Sequence, residues 1–263
     1  MALRVVSALK LGLRGPGSGL LRSGTFFLSA TQHRLEKMPS SIGFPVTSRR
    51  PFSNHRILVD MDQTLGVATM KLKNPPVNSL SLELLTEFVI NLEKLEIDKS
   101  CRGVILTSGA SPAGGCLMAL ASDYRIMANN PKYTIGLNET QLGIVAPFWF
   151  KDTLVNTIGN RAAEHALQQG LLFSPDDALK IGLVDQIVPE DKVQSTALSM
   201  MSEWLKIPDH ARQLTKTMIR GPTAHRLLKQ READIQNFVS FISKDSIQKS
   251  LHMYLKSLKK QKE

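Results

Sequence analysis

The sequence predicts an α/β fold that continues into a helical C-terminal region. Three patterns predict it: an amphipathic segment lies between two apolar segments over residues 67–107, two later helix-like segments end in glycine, and an apolar stripe follows near the C-terminus. The composition agrees, because 42% hydrophobic and 21% charged residues in a chain of 263 are typical of a globular protein with a real core.

The first 56 residues differ in charge from the rest of the chain. They hold nine basic residues and one acid, Glu36, for a net charge of +8, whereas the remaining residues carry only +2 of the total +10. A segment rich in Arg, Ser and Gly and almost free of acid is typical of a mitochondrial transit peptide. We therefore expect residues 1–56 to be a transit peptide and flexible leader, cleaved near Arg49–Ser53, and a location in the mitochondrial matrix. A basic tail without a targeting role is the alternative.

Several classes of protein are excluded by composition. No stretch approaches the roughly 20 consecutive apolar residues that a membrane-spanning helix needs, so no integral membrane segment is expected. The nearly neutral charge outside the leader argues against binding of nucleic acid. Cys101 and Cys116 are too few for a disulfide framework and lack the spacing of metal ligands, so no metal site is expected.

The first predicted elements are a strand, a helix and a second strand. Residues 67–72 have a strand pattern that ends before Pro75, since proline cannot continue a sheet ladder. Residues 103–107 form a continuous apolar run, which indicates a strand buried on both faces. Between them, residues 81–95 place apolar side chains three and four residues apart, at Leu82, Leu85, Phe88, Val89, Leu92 and Leu95. A parallel strand-helix-strand unit is therefore expected.

The following segments alternate between turns, helices and one strand. Residues 108–115 are rich in turn residues, residues 116–121 favour a helix, and residues 124–128 favour a strand. Two further helices are expected at 160–169 and 175–181, each followed by a glycine that can adopt a left-handed cap, at positions 170 and 182.

The region from Pro208 onward is predicted to be largely helical. Its apolar stripe comprises Phe238, Phe241, Ile242, Ile247, Leu251, Tyr254 and Leu255. Such a stripe must be covered, either by the core of the same subunit or by another subunit.

Four motifs in order carry a resemblance to a known family. They are 111–117 (SPAGGCL), 122–128 (SDYRIMA), 136–143 (GLNETQLG) and 178–185 (ALKIGLVD). Together they resemble the crotonase superfamily of acyl-CoA enzymes, from about Leu65 to the C-terminus, and residues 74–81 and 138–143 are most similar to its isomerase branch. The resemblance implies a crotonase-like fold, a ββα superhelix, and isomerisation of 3-cis or 3-trans enoyl-CoA to 2-trans-enoyl-CoA in mitochondrial fatty-acid β-oxidation.

The resemblance also implies roles for four residues. Glu139 matches the single acid/base that moves a proton from C2 to C4 of the acyl chain, with a pKa raised by apolar neighbours such as Ile144, Val145 and Phe148. Gly114 matches one backbone donor to the thioester oxygen. Asn138 and Leu117 would contact the substrate, and Leu117 stands where related hydratases carry a second glutamate. Isomerisation is therefore favoured over hydration.

The sequence departs from the family at one place. The Ala-Gly-x-Asp-type loop that normally follows the strand 103–108 is absent, as are the helices after it and the strand before Ala113. This form is internally deleted, and it lacks one of the two oxyanion donors and one core strand-helix segment. The alternative hypothesis is a catalytically impaired remnant of the crotonase fold that acts only by binding other subunits.

The predicted organisation has three parts. Residues 1–56 are the leader, 57–207 the crotonase-like core, and 208–263 a helical region for oligomerisation. The resemblance implies a homotrimer, an acyl-CoA substrate that brings coenzyme A as part of itself, and no metal or redox cofactor.

Overall fold

A computed structural model describes residues 3–7, 56–75, 78–109 and 111–260, with side chains described except at 3–7, 255 and 257–260. The strands are β1 (Leu3–Ser7), β2 (Ile57–Asp62), β3 (Val67–Leu72), β4 (Gly103–Ser108), β5 (Ser111–Pro112), β6 (Tyr124–Ala128), β7 (Ile135–Gly136) and β8 (Gln186–Val188). The helices are α1 (Leu82–Ile97), α2 (Gly114–Leu120), α3 (Phe148–Ile158), α4 (Asn160–Gln169), α5 (Pro175–Lys180), α6 (Val193–Trp204), α7 (Asp209–Ile242) and α8 (Asp245–Lys260). The expected cleavage region at 49–53 lies outside the described residues.

Among the described residues, the main sheet has six strands in the order β2-β3-β4-β1-β6-β8. Strands β3 and β4 are parallel with α1 between them in the chain, which confirms the predicted strand-helix-strand unit. Strands β6 and β8 are also parallel, whereas β1 runs antiparallel to both β4 and β6. Residues 3–7 thus form a central strand, although the sequence places them in the leader.

The core lies on both faces of this sheet, because side chains of a strand alternate between its faces. On one face Val104 and Leu106 of β4 belong to a cluster that includes Leu84 of α1 and Leu154 of α3. On the other face Ile105 packs in a second cluster with α6. Helices therefore cover the sheet on both sides, as expected for an α/β fold.

Helix α1 begins where the sequence predicts, but the prediction that Leu82 lies on its buried face is wrong. Ser81 caps the helix, and its hydroxyl accepts a hydrogen bond from the Leu84 N–H at 3.3 Å. Leu82 was expected to be buried and is 78% exposed, whereas Leu84 is fully buried. The reason is geometric: two residues along a helix are about 200° apart around its axis, so the two leucines face opposite sides.

The two helices with predicted glycine caps are confirmed. Helix α4 ends at Gly170 with φ +60°, and Gly182, just after α5, has φ +75°. At both positions glycine avoids the steric cost that a Cβ brings to a left-handed conformation.

The C-terminal region is largely helical, as predicted, and its described residues form two helices. Helix α7 is 34 residues long, contains Pro222, and has no buried residue. The predicted apolar stripe is only partly covered by its own chain, since Ile247 is 5% exposed but Phe238 is 38% exposed. No helix within the described residues is both long and apolar enough to span a membrane.

Candidate active site

A short two-stranded ladder brings two of the sequence motifs together. Strands β5 and β7 are parallel, with Pro112 opposite Gly136, and the Ala113 N–H donates to the Gly136 carbonyl at 2.8 Å. The carboxyl ends of parallel strands lie at the same edge of a sheet. Helix α2, which begins at Gly114, and a 3₁₀ turn, Glu139–Leu142, therefore start side by side.

Gly136 is a position at which no larger residue fits. A Cβ there would lie 2.2 Å from the Leu171 carbonyl oxygen, which is a backbone atom with little freedom to move. The same segment is fixed by Phe173, whose N–H donates to the Ile135 carbonyl at 2.9 Å and whose carbonyl accepts from the Ile135 N–H at 3.1 Å. Close backbone packing therefore determines where the chain leaves β7.

Glu139 lies at the start of the 3₁₀ turn and is buried. It is only 8% exposed, and its Oε2 has no hydrogen-bond partner among the described residues. Burial raises the pKa of its carboxyl above the usual range, and a bond from its own backbone N–H offsets only part of this rise. A buried carboxyl with a free oxygen and a raised pKa is suited to take up and release a proton.

The 3₁₀ turn that carries Glu139 lies next to the first turn of α2. The pKa of the Cys116 thiol in that turn is raised by burial and then by the negative charge of Glu139. The parallel pairing of Pro112 with Gly136 places the segments that lead to Gly114 and to Glu139 side by side. The structure thus brings together Glu139 and Gly114, the two catalytic residues that the sequence predicts.

The last turn of α4 holds the 3₁₀ turn in place. The Thr140 hydroxyl donates to the Leu167 carbonyl at 2.6 Å, and the Gln141 amide donates to the Gln169 carbonyl at 3.3 Å. Both acceptors are carbonyls in the last turn of α4, where the regular helical bonding pattern ends, although the Leu167 carbonyl also accepts from the Gly170 N–H at 3.3 Å. The turn that carries Glu139 is therefore anchored to a rigid element on its solvent side.

The residue before α2 has a strained backbone. Ala113 has φ +52°, and it is the one non-glycine residue with positive φ in the part of the chain that the structure describes. Such a conformation costs on the order of 1–3 kcal/mol and is typical of functional sites. No side chain of the described residues caps α2, so none of them occupies its first N–H groups.

A third sequence motif reaches the site through Leu80. A Cβ at Gly114 would lie 2.6 Å from the Leu80 Cδ1 atom, so this leucine packs directly on the glycine. Leu80 belongs to the segment 74–81, one of the two that resemble the isomerase branch. Sequence reasoning did not assign it to the site, because a leucine before a helix gives no signal of its own.

The two predicted substrate-binding residues lie on the two elements of the site. Asn138 is 3% exposed at the start of the 3₁₀ turn, and Leu117 is half-buried one turn into α2. The apolar neighbours predicted for Glu139 are partly wrong. Ile144 is buried and its N–H donates to the Glu139 carbonyl at 3.0 Å, but Val145 is 67% exposed and cannot shield the carboxyl. No group of three metal-ligating side chains occurs among the described residues.

The fold, together with helix α2 and the neighbouring 3₁₀ turn, defines a class of protein. The enoyl-CoA hydratase/isomerase family matches residues 62–110 and 108–263. The chain belongs to the enoyl-CoA hydratase/isomerase family. The match is in two pieces that overlap at residues 108–110, the place at which the sequence analysis expects the family's loop to be missing.

Particular members of the family are closely similar. The human protein "Enoyl-CoA delta isomerase 1, mitochondrial" is 55% identical over 304 residues, covering 97% of this chain and 99% of the relative. The mouse protein of the same name is 59% identical over 266 residues, covering 82% and 92%. The crystal structure of human mitochondrial delta3-delta2-enoyl-CoA isomerase superposes with a TM-score of 0.78 at 58% identity, covering 80% of this chain and all of that one. The human alignment is longer than this chain, so the relative holds residues with no counterpart here.

Proposed function

We propose that this chain is an isomerase that converts 3-cis or 3-trans enoyl-CoA to 2-trans-enoyl-CoA. The observation that carries the proposal is the buried carboxyl of Glu139, one oxygen of which has no hydrogen-bond partner among the described residues, on a turn beside the first turn of α2. The two mammalian relatives named enoyl-CoA delta isomerase 1, at 55% and 59% identity, support it.

The reaction requires one group that carries a proton between two carbons. Glu139 in its ionised form takes a proton from C2, and the electron pair left behind shifts through the thioester to give a dienolate. The same carboxyl, now protonated, gives the proton to C4, and the double bond moves from C3 to C2. A raised pKa suits both steps, because the group must be a sufficient base in the first and a sufficient acid in the second.

The thioester oxygen gains negative charge in the dienolate and needs hydrogen-bond donors. The Gly114 N–H supplies one, on a helix start that no side chain caps. The second donor belongs to the loop that this chain lacks. Since losing one such donor costs about 3 kcal/mol of transition-state stabilisation, we expect turnover about 100-fold below that of relatives with both.

Two side chains distinguish isomerisation from hydration and position the acyl chain. Hydration needs a second carboxylate to activate water, and Leu117 offers none. Leu117 and Asn138 lie on the two elements that meet at Glu139, and we assign them to contact with the acyl-CoA.

Location and assembly form the last part of the proposal. The basic leader and the mitochondrial relatives support import into the matrix. Exposed apolar side chains on α7 and α8, such as Met218 at 79% and Met253 at 65%, support a homotrimer assembled through residues 208–263.

The decisive experiment is an assay of purified chain with a 3-enoyl-CoA substrate. We expect Glu139→Gln to lower kcat about 1,000-fold, because glutamine cannot accept the C2 proton. Glu164→Gln is the matched control, since Glu164 is exposed and paired with Arg161 on the surface of α4. A Glu139→Gln enzyme with undiminished turnover overturns the assignment. A folded wild-type chain without turnover favours the non-catalytic remnant.

A further inference from the structure

The centre of the main sheet is filled by the most N-terminal strand. Strands β4 and β6 do not pair with each other, since β1 lies between them and pairs with both. Both neighbours are core strands: Ile105 and Ile126 have no exposed surface. Buried backbone N–H and C=O groups are almost always paired, so the inner edges of β4 and β6 require a strand between them.

The gap that β1 fills coincides with the part of the family that this chain lacks. Strand β4 ends at Ser108, and the family match breaks at 108–110. The family resemblance implies that a core strand-helix segment is missing here, and in the structure only the two-residue strand β5 stands directly before Ala113. The chain therefore leaves β4 without the residues that would continue the sheet beside it.

The direction of β1 marks it as a strand from elsewhere in the chain. Strands β3 and β4 run parallel to each other, as do β6 and β8, and β1 is antiparallel to both β4 and β6. All four of those strands consequently share one direction, and β1 alone among the central strands opposes it. A strand reached through the ordinary helical crossover of this sheet would be parallel.

We propose that residues 3–7 act as a substitute central strand that occupies the position left by the deleted segment. The occupant is the chain's own N-terminal segment, Leu-Arg-Val-Val-Ser, with Leu3 opposite Ser108 and Ser7 opposite Val104. The two consecutive valines favour extended backbone. The leader then has a structural role, and cleavage after residue 7 would separate a core strand from the rest of the chain.

Disulfide cross-linking in the full chain tests both the presence and the direction of β1. Leu3→Cys with Ser108→Cys pairs two residues that are opposite each other, and we expect a cross-link after mild oxidation. Ser7→Cys with Ser108→Cys is the matched control. Ser7 lies four residues from the Ser108 partner, about 13 Å along the strand, which is beyond disulfide reach.

Peptide mapping by mass spectrometry identifies the linked pair and separates it from Cys101 and Cys116, which are buried free thiols. A cross-link in the first variant only supports the proposal. Cross-linking in neither variant, or only in the control, overturns it, because the strand would then be absent or run in the opposite direction.

Hydrogen exchange provides a second test. In a chain that begins at residue 8, we expect amides of β4 and β6 to exchange at least tenfold faster, while the β2–β3 pair serves as the internal reference. A peptide of residues 1–10 should restore protection, and the same peptide with Val5→Pro and Val6→Pro should not, since proline removes a backbone donor. Unchanged exchange in the shortened chain overturns the proposal, and a shortened chain that cannot fold without the peptide supports it.

Discussion

Two regions of this molecule are stabilised by different forces. The active-site corner, residues 111–144, is held by backbone contacts and close packing, as in the approach of Gly136 to the Leu171 carbonyl. The C-terminal arm, residues 209–260, has no buried residue along its whole first helix. That first helix is attached to the core by charged and polar side chains, whereas the second helix buries Ile247. The corner should therefore respond mainly to changes in volume, and the arm mainly to changes in charge.

The attachment of the arm follows one face of α7. Lys216 pairs with Asp123 at 2.9 Å, and Arg220 donates to the Ser122 carbonyl at 2.9 Å. Farther along, Asp234 accepts a hydrogen bond from the Trp149 indole at 3.1 Å. Asp123 is the most buried of these groups, with a side chain that is only 8% exposed. It is consequently the ionic contact on which docking of the arm depends most.

The largest effect is expected in the corner. Gly136→Ala should lower the free energy of unfolding by about 3 kcal/mol, because the new Cβ meets a backbone oxygen that cannot move aside. Gly182→Ala is the control: no atom of the described residues lies within 4 Å of its Cβ position, and we expect a loss of about 1 kcal/mol from its positive φ of +75° alone, a strain that Gly136 does not share. Urea unfolding measures both, and equal losses would refute the steric explanation.

The second largest effect on stability is expected in the arm. Asp123→Asn should lower the free energy of unfolding by about 2 kcal/mol, since it removes the buried negative charge that pairs with the partly buried Lys216 ammonium. The exposed pair Glu203–Lys206 offers the control, because Glu203→Gln should change stability by no more than about 0.5 kcal/mol. Thermal unfolding of both variants distinguishes the two cases. A loss in Glu203→Gln as large as in Asp123→Asn would show that burial is not the cause.

A third prediction separates activity from stability in the corner. The raised pKa of Glu139 means that the folded state disfavours its charged form. The contribution of Glu139 to stability is greatest below pH 4.5, which is the pKa of its carboxyl in the unfolded chain. This contribution is lost as pH rises through the higher pKa that the carboxyl has in the folded chain. Glu139→Gln should therefore gain about 1 kcal/mol at pH 7 and nothing at pH 4, although it loses turnover. Thermal unfolding at the two pH values tests this, and a destabilised variant at pH 7 would contradict it.

Local patterns in the sequence predicted the elements that local rules control. The strand 67–72, the buried strand beginning at Gly103 and the caps at Gly170 and Gly182 follow from periodicity and backbone preference. The role of Glu139 came from a resemblance, and no local rule would have identified it. A single glutamate near a helix start is otherwise typical of a surface acid.

Contacts between distant residues were beyond sequence reasoning. The pairing of residues 3–7 with β4 joins segments a hundred residues apart, and their basic surroundings indicated only a leader. The ladder of β5 and β7 has only two residues in each strand, too few for a periodic signal. The exposure of Val145 likewise depends on how the chain turns after Gly143, which has φ +74°.

The smallest predicted effect is a pH dependence of the arm that is opposite in sign to that of the corner. Asp209, at the start of α7, is partly buried, which alone would raise its pKa, but hydrogen bonds from Arg102 and Arg212 outweigh burial and hold the pKa below its usual value. Its contribution is therefore present above the unfolded pKa of 3.8 and is lost as pH falls through the folded pKa, opposite in sign to Glu139. Asp209→Asn should lower the free energy of unfolding by about 0.5–1 kcal/mol at pH 7. Urea unfolding from pH 7 down to pH 2 should show this deficit shrink, whereas a deficit that stays constant with pH would mean that the charge of Asp209 does not hold the arm.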